Sequence, residues 1–209
     1  MNKLLLIWGA GGHGKVVLDL AQSTGDYFQI AFLDDDLDRA GQVFCGFALI
    51  AGSGVLEHFQ GASFAAAVGS NRSRARCFAR ATAACLLPAT LIHPSAIISP
   101  SAVLGPGSVV MPGVVVNAGA VIGDNCILNS GAVIEHDCIV GDHVHLSPRA
   151  TLAGNVVVGD YAHIGLGAVI LPDTRVGAGC IVGAGAVVLH DVPRDSTVAG
   201  VPARVLKYA

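Results

Sequence analysis

A hydrophobic residue recurs at every sixth position over the second half of this 209-residue chain. All sixteen positions taken at this interval from Ile98 to Val188 are Ile, Leu or Val. A small or modest side chain stands four residues after each of them. A period of six fits neither an α-helix nor the simple two-residue alternation of a strand. The repeat predicts a parallel β-helix, in which short strands alternate with corners.

Proline marks one position of the repeat. Eight of the nine prolines fall on it, namely Pro88, Pro94, Pro100, Pro106, Pro112, Pro148, Pro172 and Pro202. Because proline cannot donate a hydrogen bond to a strand ladder, we expect this position to lie at a corner. Three repeats then form one triangular coil, and successive coils stack at about 4.8 Å, the spacing of paired strands. The chain has 27 glycines, and we expect those of the repeat to serve the corners, where a positive φ is often required.

The first part of the chain has the pattern of a small α/β domain. Its predicted strands and helices span residues 4–8, about 15–22, 30–33, 65–68 and 74–84. This order is typical of a βαβ unit with a Rossmann-like parallel sheet. We therefore predict an α/β domain over residues 1–88, followed by a β-helix with a C-terminal tail over residues 89–209.

Charge and composition exclude several classes of protein. The net charge is −3 and no basic block is present, so a nucleic-acid partner is not expected. Residues 81–123 lack charged side chains but contain five prolines, a density that a membrane-spanning helix does not tolerate. The apolar N-terminus leads directly into a glycine-rich turn, which favours a strand over a signal peptide. The six cysteines form no CxxC pair, so we expect free thiols and a cytoplasmic protein.

A glycine-rich turn joins the first predicted strand to the first helix. Its glycines, Gly9, Gly11 and Gly14, have the GxGxxG spacing, and Asp34 follows twenty residues after Gly14. Such turns bring phosphate close to the backbone at a helix N-terminus. Fewer than ninety residues are available, which is short for a two-halved dinucleotide domain. A mononucleotide or nucleotide-sugar site is therefore favoured over NAD, and a turn that binds nothing is the alternative.

Two groups of histidines lie in the repeat. His136 occupies the corner position of the prolines and is flanked by Glu135 and Asp137, so it is either a general base or a surface histidine. His145 and His163 are one coil apart on an outward apolar stripe, where they line a cleft or pack in an oligomer interface. No third histidine obviously converges on this pair, so we expect no metal.

The motifs together resemble one family across the whole chain. They are GAGGHG at residues 9–14, FLDDD at 32–36, AVGSNRSR at 67–74, IHPSAIISPSA at 92–102, NSGAVIEHDC at 129–138, HLSPRATLAGNV at 145–156 and AGVPAR at 199–204. The chain is similar to bacterial sugar acyltransferases, the hexapeptide-repeat sialic-acid O-acetyltransferases and nucleotide-amino-sugar N-acetyltransferases. The resemblance implies a left-handed β-helix, a homotrimer, and acetyl-CoA bound between neighbouring β-helices.

The resemblance also implies roles for individual residues. His136 matches the general base and Asp137 the acid that raises its basicity, with Glu135 as the alternative for the acid. The implied acetyl-CoA contacts are His145, Leu166 and Ala184, and because relatives can have Ile and Gly at the last two positions, backbone contacts are favoured there. The implied nucleotide-sugar contacts are Gly11, Gly12, His13, Asp34, Asp35 and Gly69.

The function implied by the resemblance is transfer of an acetyl group from acetyl-CoA to the amine of a nucleotide-linked amino sugar, in bacterial glycan biosynthesis such as that of lipopolysaccharide. O-acetylation of sialic acid or another sugar hydroxyl is the nearest alternative. A non-catalytic trimer that binds nucleotide sugars is an alternative of another class, and a metal hydratase is a third.

Overall fold

The computed structural model describes residues 4–208, which form two compact units, residues 4–92 and residues 93–208. The strands of the first unit are β1 (Leu4–Trp8), β2 (Gln29–Asp34), β3 (Val43–Phe44), β4 (Phe47–Ala51), β5 (Ser63–Ala66), β6 (Leu87–Pro88) and β7 (Leu91–Ile92). Its helices are α1 (Gly12–Thr24) and α2 (Asn71–Ala83), with two 3-10 segments at Leu37–Arg39 and Ser53–Phe59.

The first unit is built on a six-stranded sheet in the order β3-β4-β2-β1-β5-β6. All neighbours in it are parallel except the β3–β4 hairpin. The central strand β1 is buried, as the apolar run LLLIW requires, and it packs with Leu33, Phe64 and α2 residues in the core. From β1 the chain builds the sheet first towards β2 and then towards β5. The carboxyl ends of these three strands therefore meet where open α/β sheets bind ligands.

The second unit consists of short strands in stacked coils. These strands are β8 (Ile97–Ile98), β9 (Val103–Leu104), β10 (Val109–Val110), β11 (Val115–Val116), β12 (Val121–Ile122), β13 (Ile127–Leu128), β14 (Val133–Ile134), β15 (Ile139–Val140), β16 (His145–Leu146), β17 (Thr151–Leu152), β18 (Val157–Val158), β19 (His163–Ile164), β20 (Val169–Ile170), β21 (Arg175–Val176), β22 (Ile181–Val182), β23 (Val187–Val188), β24 (Ser196–Ala199) and β25 (Arg204–Tyr208).

Each strand from β8 to β20 pairs in parallel with the strand one coil later, so the β-helix has three flat sides. Face 1 contains β10, β13, β16, β19, β22, β24 and β25; face 2 contains β8, β11, β14, β17, β20 and β23; and face 3 contains β9, β12, β15, β18 and β21. The register confirms the 18-residue coil, since His145 lies opposite Ile127 and His163. The second residue of each strand points inwards, and Leu128, Ile134 and Leu146 have no exposed surface.

From Gly107 to Gly185 the corners are four-residue turns whose second central residue has a positive φ. In one of them the Ala132 amide donates to the Asn129 carbonyl at 3.0 Å. Six prolines of the β-helix occupy the first central position, which their fixed φ suits, namely Pro94, Pro100, Pro106, Pro112, Pro148 and Pro172. Pro88 has the same spacing but lies in β6, so the expected corner is wrong for this residue. Not every glycine of the repeat serves a positive φ. At Gly159, for example, a Cβ would lie 2.6 Å from the Ala178 amide nitrogen, so this glycine permits close stacking of coils.

The last coil ends in an antiparallel strand. β25 pairs with β24 on face 1, and the register shifts between Thr197 and Val198. All five residues of β25 are exposed, among them Arg204 and Lys207. None of the helices in the part of the chain that the structure describes has the length and apolar character needed to cross a membrane.

Candidate active site

His136 and Asp137 form a hydrogen-bonded pair at the corner between faces 2 and 3. They are the two central residues of the turn between β14 and β15, and Asp137 has φ 60°. The imidazole Nδ1 lies 2.9 Å from Asp137 Oδ2, and both side chains are more than half exposed. With the carboxylate accepting from Nδ1–H, the lone pair of the neutral imidazole is on Nε2. Within residues 4–208 Nε2 makes no hydrogen bond, so this nitrogen is open to a ligand.

Two glycines in adjacent coils make room for this pair. A Cβ on Gly119, one coil earlier, would lie 2.5 Å from Asp137 Oδ1. A Cβ on Gly154, one coil later, would lie 2.6 Å from both Cε1 and Nε2 of His136. The Asn155 amide also donates to the His136 carbonyl at 3.0 Å, which fixes the coil beneath the imidazole. The two glycines therefore define the position of the pair.

His145 belongs to a second polar group, on the outer side of face 1. Its ring stacks on that of His163, with centroids 4.7 Å apart and planes 6° from parallel. The Asn129 side-chain amide lies 3.2 Å from His145 Nε2, while Asn129 Oδ1 accepts from the Ser130 amide. The amide nitrogen of Asn129 is therefore the donor to His145, so His145 Nε2 is an acceptor and the ring is oriented. Asn129 thus orients His145, a contact that the sequence pattern did not indicate.

The two groups lie on opposite sides of one β-helix. Leu166 and Ala184 occupy turns between faces 1 and 2, next to the face that carries His145. His136 occupies the corner between faces 2 and 3, which is opposite face 1 in a three-sided coil. The structure thus groups the expected cofactor contacts with one another, and it separates them from the expected base within one copy of the chain.

The glycines of the turn between β1 and α1 are of two kinds: some are required by close backbone contacts, and others leave open space. Gly9 has φ 119°, and a Cβ there would lie 2.6 Å from the Ala67 carbonyl oxygen; a Cβ on Gly14 would overlap the Gly9 carbonyl. Gly11 and Gly12, in contrast, have open space where a Cβ would be. Gly11 caps α1 without a side-chain hydrogen bond, and the first turn of α1 has no acidic residue. The fold therefore requires Gly9 and Gly14, and the open side of the turn suits an anion.

The two carboxylates at the end of β2 have different surroundings. Asp34 Oδ2 accepts from the Ala10 amide at 2.9 Å and from Arg39 at 3.1 Å. Asp34 Oδ1 accepts from the Asp36 amide at 3.1 Å. Asp35 pairs with Arg80 at 3.4 Å and is half exposed. Asp34 is thus occupied in holding the glycine-rich turn, and Asp35 has acceptor capacity for a ligand.

His13 is a half-buried histidine at the start of α1. Burial, with a smaller contribution from the Arg74 guanidinium, lowers the pKa of His13 to about 4. Arg74 is itself 1% exposed and donates to the carbonyls of Val68 and Gly69. His13 is therefore neutral at physiological pH, and Gly69 lies on a turn that a buried guanidinium holds.

A cavity of about 340 Å³ opens at the carboxyl ends of β1, β2 and β5. Its walls are formed by Trp8, Gly9, Asp34, Asp35, Val68, Ser73, Arg76, Cys77 and Arg80. Burial raises the pKa of the Cys77 thiol to about 11, so this cysteine is not a thiolate nucleophile at neutral pH. Within residues 4–208 no group of three His, Cys, Asp or Glu side chains is placed to hold a metal ion.

Family models match both parts of the chain. The PglD N-terminal domain matches residues 4–81. The bacterial transferase hexapeptide model, of six repeats, matches residues 119–154 and 155–190. No curated protein matches the chain.

Solved structures match over nearly the full length. The acetyltransferase domain of PglB from Neisseria gonorrhoeae, in complex with acetyl coenzyme A, is 44% identical; 99% of this chain and 100% of that one are covered, with a TM-score of 0.93. PerB from Caulobacter crescentus, in complex with CoA and GDP-perosamine, is 37% identical, with 99% and 98% covered and a TM-score of 0.91. WeeI from Acinetobacter baumannii is 28% identical, with 98% and 100% covered and a TM-score of 0.90.

These matches confirm the expected fold class, a small α/β domain followed by a left-handed parallel β-helix. The matches to the PglB domain and to PerB cover 98% and 99% of this chain, and therefore include both units. The chain belongs to the sugar acetyltransferases that join a PglD N-terminal domain to bacterial transferase hexapeptide repeats, and it is an acyltransferase.

Proposed function

We propose that this protein transfers the acetyl group of acetyl-CoA to the amine of a nucleotide-linked amino sugar, with His136 as the general base. The observation that carries the proposal is the hydrogen bond between His136 Nδ1 and Asp137, which makes Nε2, at an exposed corner, the ring nitrogen that faces a substrate. The relative PerB is named as a GDP-perosamine N-acetyltransferase, which supports an amino-sugar acceptor.

The pair suits direct attack on a thioester. The neutral amine forms a bond to the acetyl carbonyl carbon, and His136 Nε2 accepts a proton from that nitrogen. The carbon–sulfur bond then breaks, and the proton returns from the imidazolium to the leaving CoA sulfur. Asp137 holds the ring in one tautomer and stabilises the imidazolium. A positioned base of this kind contributes about 10²–10⁴-fold in rate.

The nucleotide part of the substrate has a matching site in the first unit. Gly11 and Gly12 leave the N-terminus of α1 open to phosphate, and the cavity beside Asp35 lies at the carboxyl ends of the same strands. Neutral His13 and the turn at Gly69 border this region of the fold. We assign nucleotide-sugar binding to these residues, with Asp34 holding the turn.

Acetyl-CoA binding requires a second copy of the chain under this proposal. We assign the thioester contact to His145, and the later contacts to the exposed turns at Leu166 and Ala184. Since His136 lies on the opposite side of the same β-helix, one site can contain His136 and His145 only if two copies supply them. Outward Val103, Val121 and Ile139 on face 3 are exposed, so the second unit has an apolar surface for such an assembly. A closed trimer would repeat that interface three times.

The first experiment is an acceptor screen. The protein is supplied with acetyl-CoA and with UDP-, GDP- or dTDP-linked amino sugars, and release of the CoA thiol is measured. We expect turnover with at least one amine and a loss of about 10²–10⁴-fold in His136→Ala with acetyl-CoA binding retained. Turnover only with a sialic acid or other hydroxyl acceptor would identify an O-acetyltransferase. Binding without thiol release on any acceptor would indicate a non-catalytic protein.

The second experiment tests whether two copies share the site. His136→Ala and His145→Ala chains, each first shown to have low activity, are co-assembled in equal amounts. Each site is formed by two neighbouring copies, and in an equal mixture each copy has an even chance of being either variant. About a quarter of the sites therefore have an intact His136 from one copy and an intact His145 from its neighbour. We expect activity to recover towards that fraction. If activity does not recover in confirmed mixed assemblies, the two histidines do not act together in a site shared by two copies.

We place the reaction in the cytoplasm. All six cysteines are free thiols in the structure, and four of them are buried. Free thiols persist in a reducing compartment, whereas secreted proteins commonly oxidise them to disulfides.

A further inference from the structure

Arg80 lies between a buried indole and the cavity at the carboxyl ends of β1, β2 and β5. Its guanidinium carbon is 5.1 Å from the centroid of the Trp8 ring. Trp8 is 2% exposed, whereas the Arg80 side chain is 51% exposed. One side of the guanidinium therefore covers the indole, and the cavity lined by both residues begins beyond it.

Asp35 restrains this guanidinium. Its Oδ2 lies 3.4 Å from Arg80 Nη1, and the two residues come from different elements, the end of β2 and α2. An arginine guanidinium is planar and stacks on aromatic faces, and it has five N–H donors. The guanidinium is thus held by two contacts, with Trp8 and with Asp35, while about half of the side chain stays exposed. Such a plane is suited to a flat aromatic ligand.

The charges around the cavity favour the base of a nucleotide over its phosphates. The wall has two carboxylates, Asp34 and Asp35, and two guanidinium groups, Arg76 and Arg80, so it offers phosphate no net attraction. The uncapped N-terminus of α1 at Gly11 attracts phosphate instead. A nucleotide that binds with its diphosphate at Gly11 and Gly12 has an uncharged ring to place in the cavity.

We propose that the guanidinium of Arg80, backed by the Trp8 ring and oriented by Asp35, is the platform on which the nucleobase of the nucleotide sugar stacks. This inference rests on the proposed function, because it assumes a nucleotide-linked substrate. Stacking on a planar cation accepts any nucleobase, since each has an aromatic face. The platform therefore sets affinity for the nucleoside part of the substrate, and the polar groups around it read the edge of the base.

The chain has a built-in probe of this contact, because Trp8 is its single tryptophan. The full-length protein is titrated with UDP, GDP, dTDP and inorganic pyrophosphate, and the Trp8 emission and the heat of binding are followed. We expect at least one nucleoside diphosphate to bind and to change the Trp8 emission in a saturable manner. We expect pyrophosphate to leave the emission unchanged. The emission change reports events at the indole and its guanidinium neighbour.

Three variants separate stacking from other roles of Arg80. Arg80→Met keeps an apolar chain over Trp8 but removes the planar cation, so we expect nucleoside diphosphates to bind about tenfold more weakly. Arg80→Lys keeps the ion pair with Asp35 without the plane and should show the same loss. Arg72→Met is the matched control, an exposed arginine of the same helix outside the cavity wall, and should bind as the wild type does. The affinity for acetyl-CoA should be the same in all four proteins.

Other results would overturn the inference. Full rescue by Arg80→Lys would mean that Arg80 only holds Asp35. Equal weakening of pyrophosphate binding would make Arg80 a phosphate ligand. Wild-type affinity for nucleoside diphosphates in Arg80→Met would refute the stacking role of Arg80, but it would not contradict the proposed acetyl transfer. If the wild-type protein binds acetyl-CoA but no nucleoside diphosphate, both this inference and the nucleotide-sugar function are wrong.

Discussion

Replacing Gly154 with alanine should displace the general base without unfolding the protein. The added Cβ would lie 2.6 Å from Cε1 and Nε2 of His136. Carbon atoms in contact are separated by about 3.5–4.0 Å, so the ring must move by about 1 Å. His136 is exposed, so its ring can move outwards without disturbing the core. A misplacement of about 1 Å can cost about 10²-fold in rate, and we expect kcat to fall by that order.

The assay for Gly154→Ala is thiol release under saturating substrates, together with a thermal melt. We expect kcat to fall while the KM for acetyl-CoA and the melting temperature stay close to wild type. The decisive control is the double variant Gly154→Ala with His136→Ala. If the glycine acts only through the imidazole, the double variant should be no slower than His136→Ala alone, because the two changes affect one interaction.

Two results would refute this reasoning. Wild-type kcat in Gly154→Ala would show that the His136 ring has room to adjust and still accept the proton. A further tenfold loss when Gly154→Ala is added to His136→Ala would show that Gly154 acts on the reaction independently of the imidazole. In either case the glycine would not be a positioning residue for the base.

Three further predictions test the surroundings of the two sites. Asp137→Asn should lower kcat about tenfold or more, since the amide no longer stabilises the imidazolium, and the pH–rate profile checks this. The pKa of His13 is about 4 in the folded protein and 6.5 for an unperturbed histidine, so the unfolded state binds more protons between these pH values. The free energy of unfolding should therefore fall by up to about 3 kcal/mol as the pH drops from 7 to 4. Urea unfolding should show a smaller loss in His13→Asn. A thiol reagent should modify Cys45 and Cys85 quickly and the four buried cysteines only on unfolding.

The β-helix was predictable because each coil repeats the same physical requirements. The inward position of each strand must be branched and apolar, and the first central position of each turn tolerates proline. These requirements recur sixteen times from Ile98 to Val188, so the periodic pattern is clear even though a two-residue strand alone gives a weak signal. The role of the glycines was predicted only in part. A positive φ and a close approach between coils both select glycine, and the two are indistinguishable in one sequence.

The first unit shows what local patterns miss. The β3–β4 hairpin was not predicted, since its two-residue turn consists of Cys45 and Gly46, with φ 50° and 83°. Turns of this kind normally contain Asn or Asp before the glycine, and cysteine gives no such signal. Helix α1 begins at Gly12 rather than near residue 15, because glycines of the turn adopt helical geometry despite their low propensity.

The site could be predicted as a list of residues but not as an arrangement. His136 and Asp137 are adjacent in sequence, so their contact needed only the turn. That His145 lies on the opposite side of the coil follows from counting faces, which required the strand pairing. Gly154 had one detectable signal: among the corner positions spaced by six from Pro94 to Ala184 it is the only glycine, although this position does not need a positive φ. Arg80 gave no signal, since its partners Trp8 and Asp35 are distant in sequence.

The antiparallel strand at the C-terminus has a consequence for the growth of the fold. A parallel β-helix presents unpaired backbone groups at its last coil, and another chain could add there without limit. β25 covers one of the three open edges with a strand of opposite direction, whose irregular register and cationic Arg204 and Lys207 discourage further addition. We therefore expect β25 to oppose end-to-end addition of another β-helix on face 1.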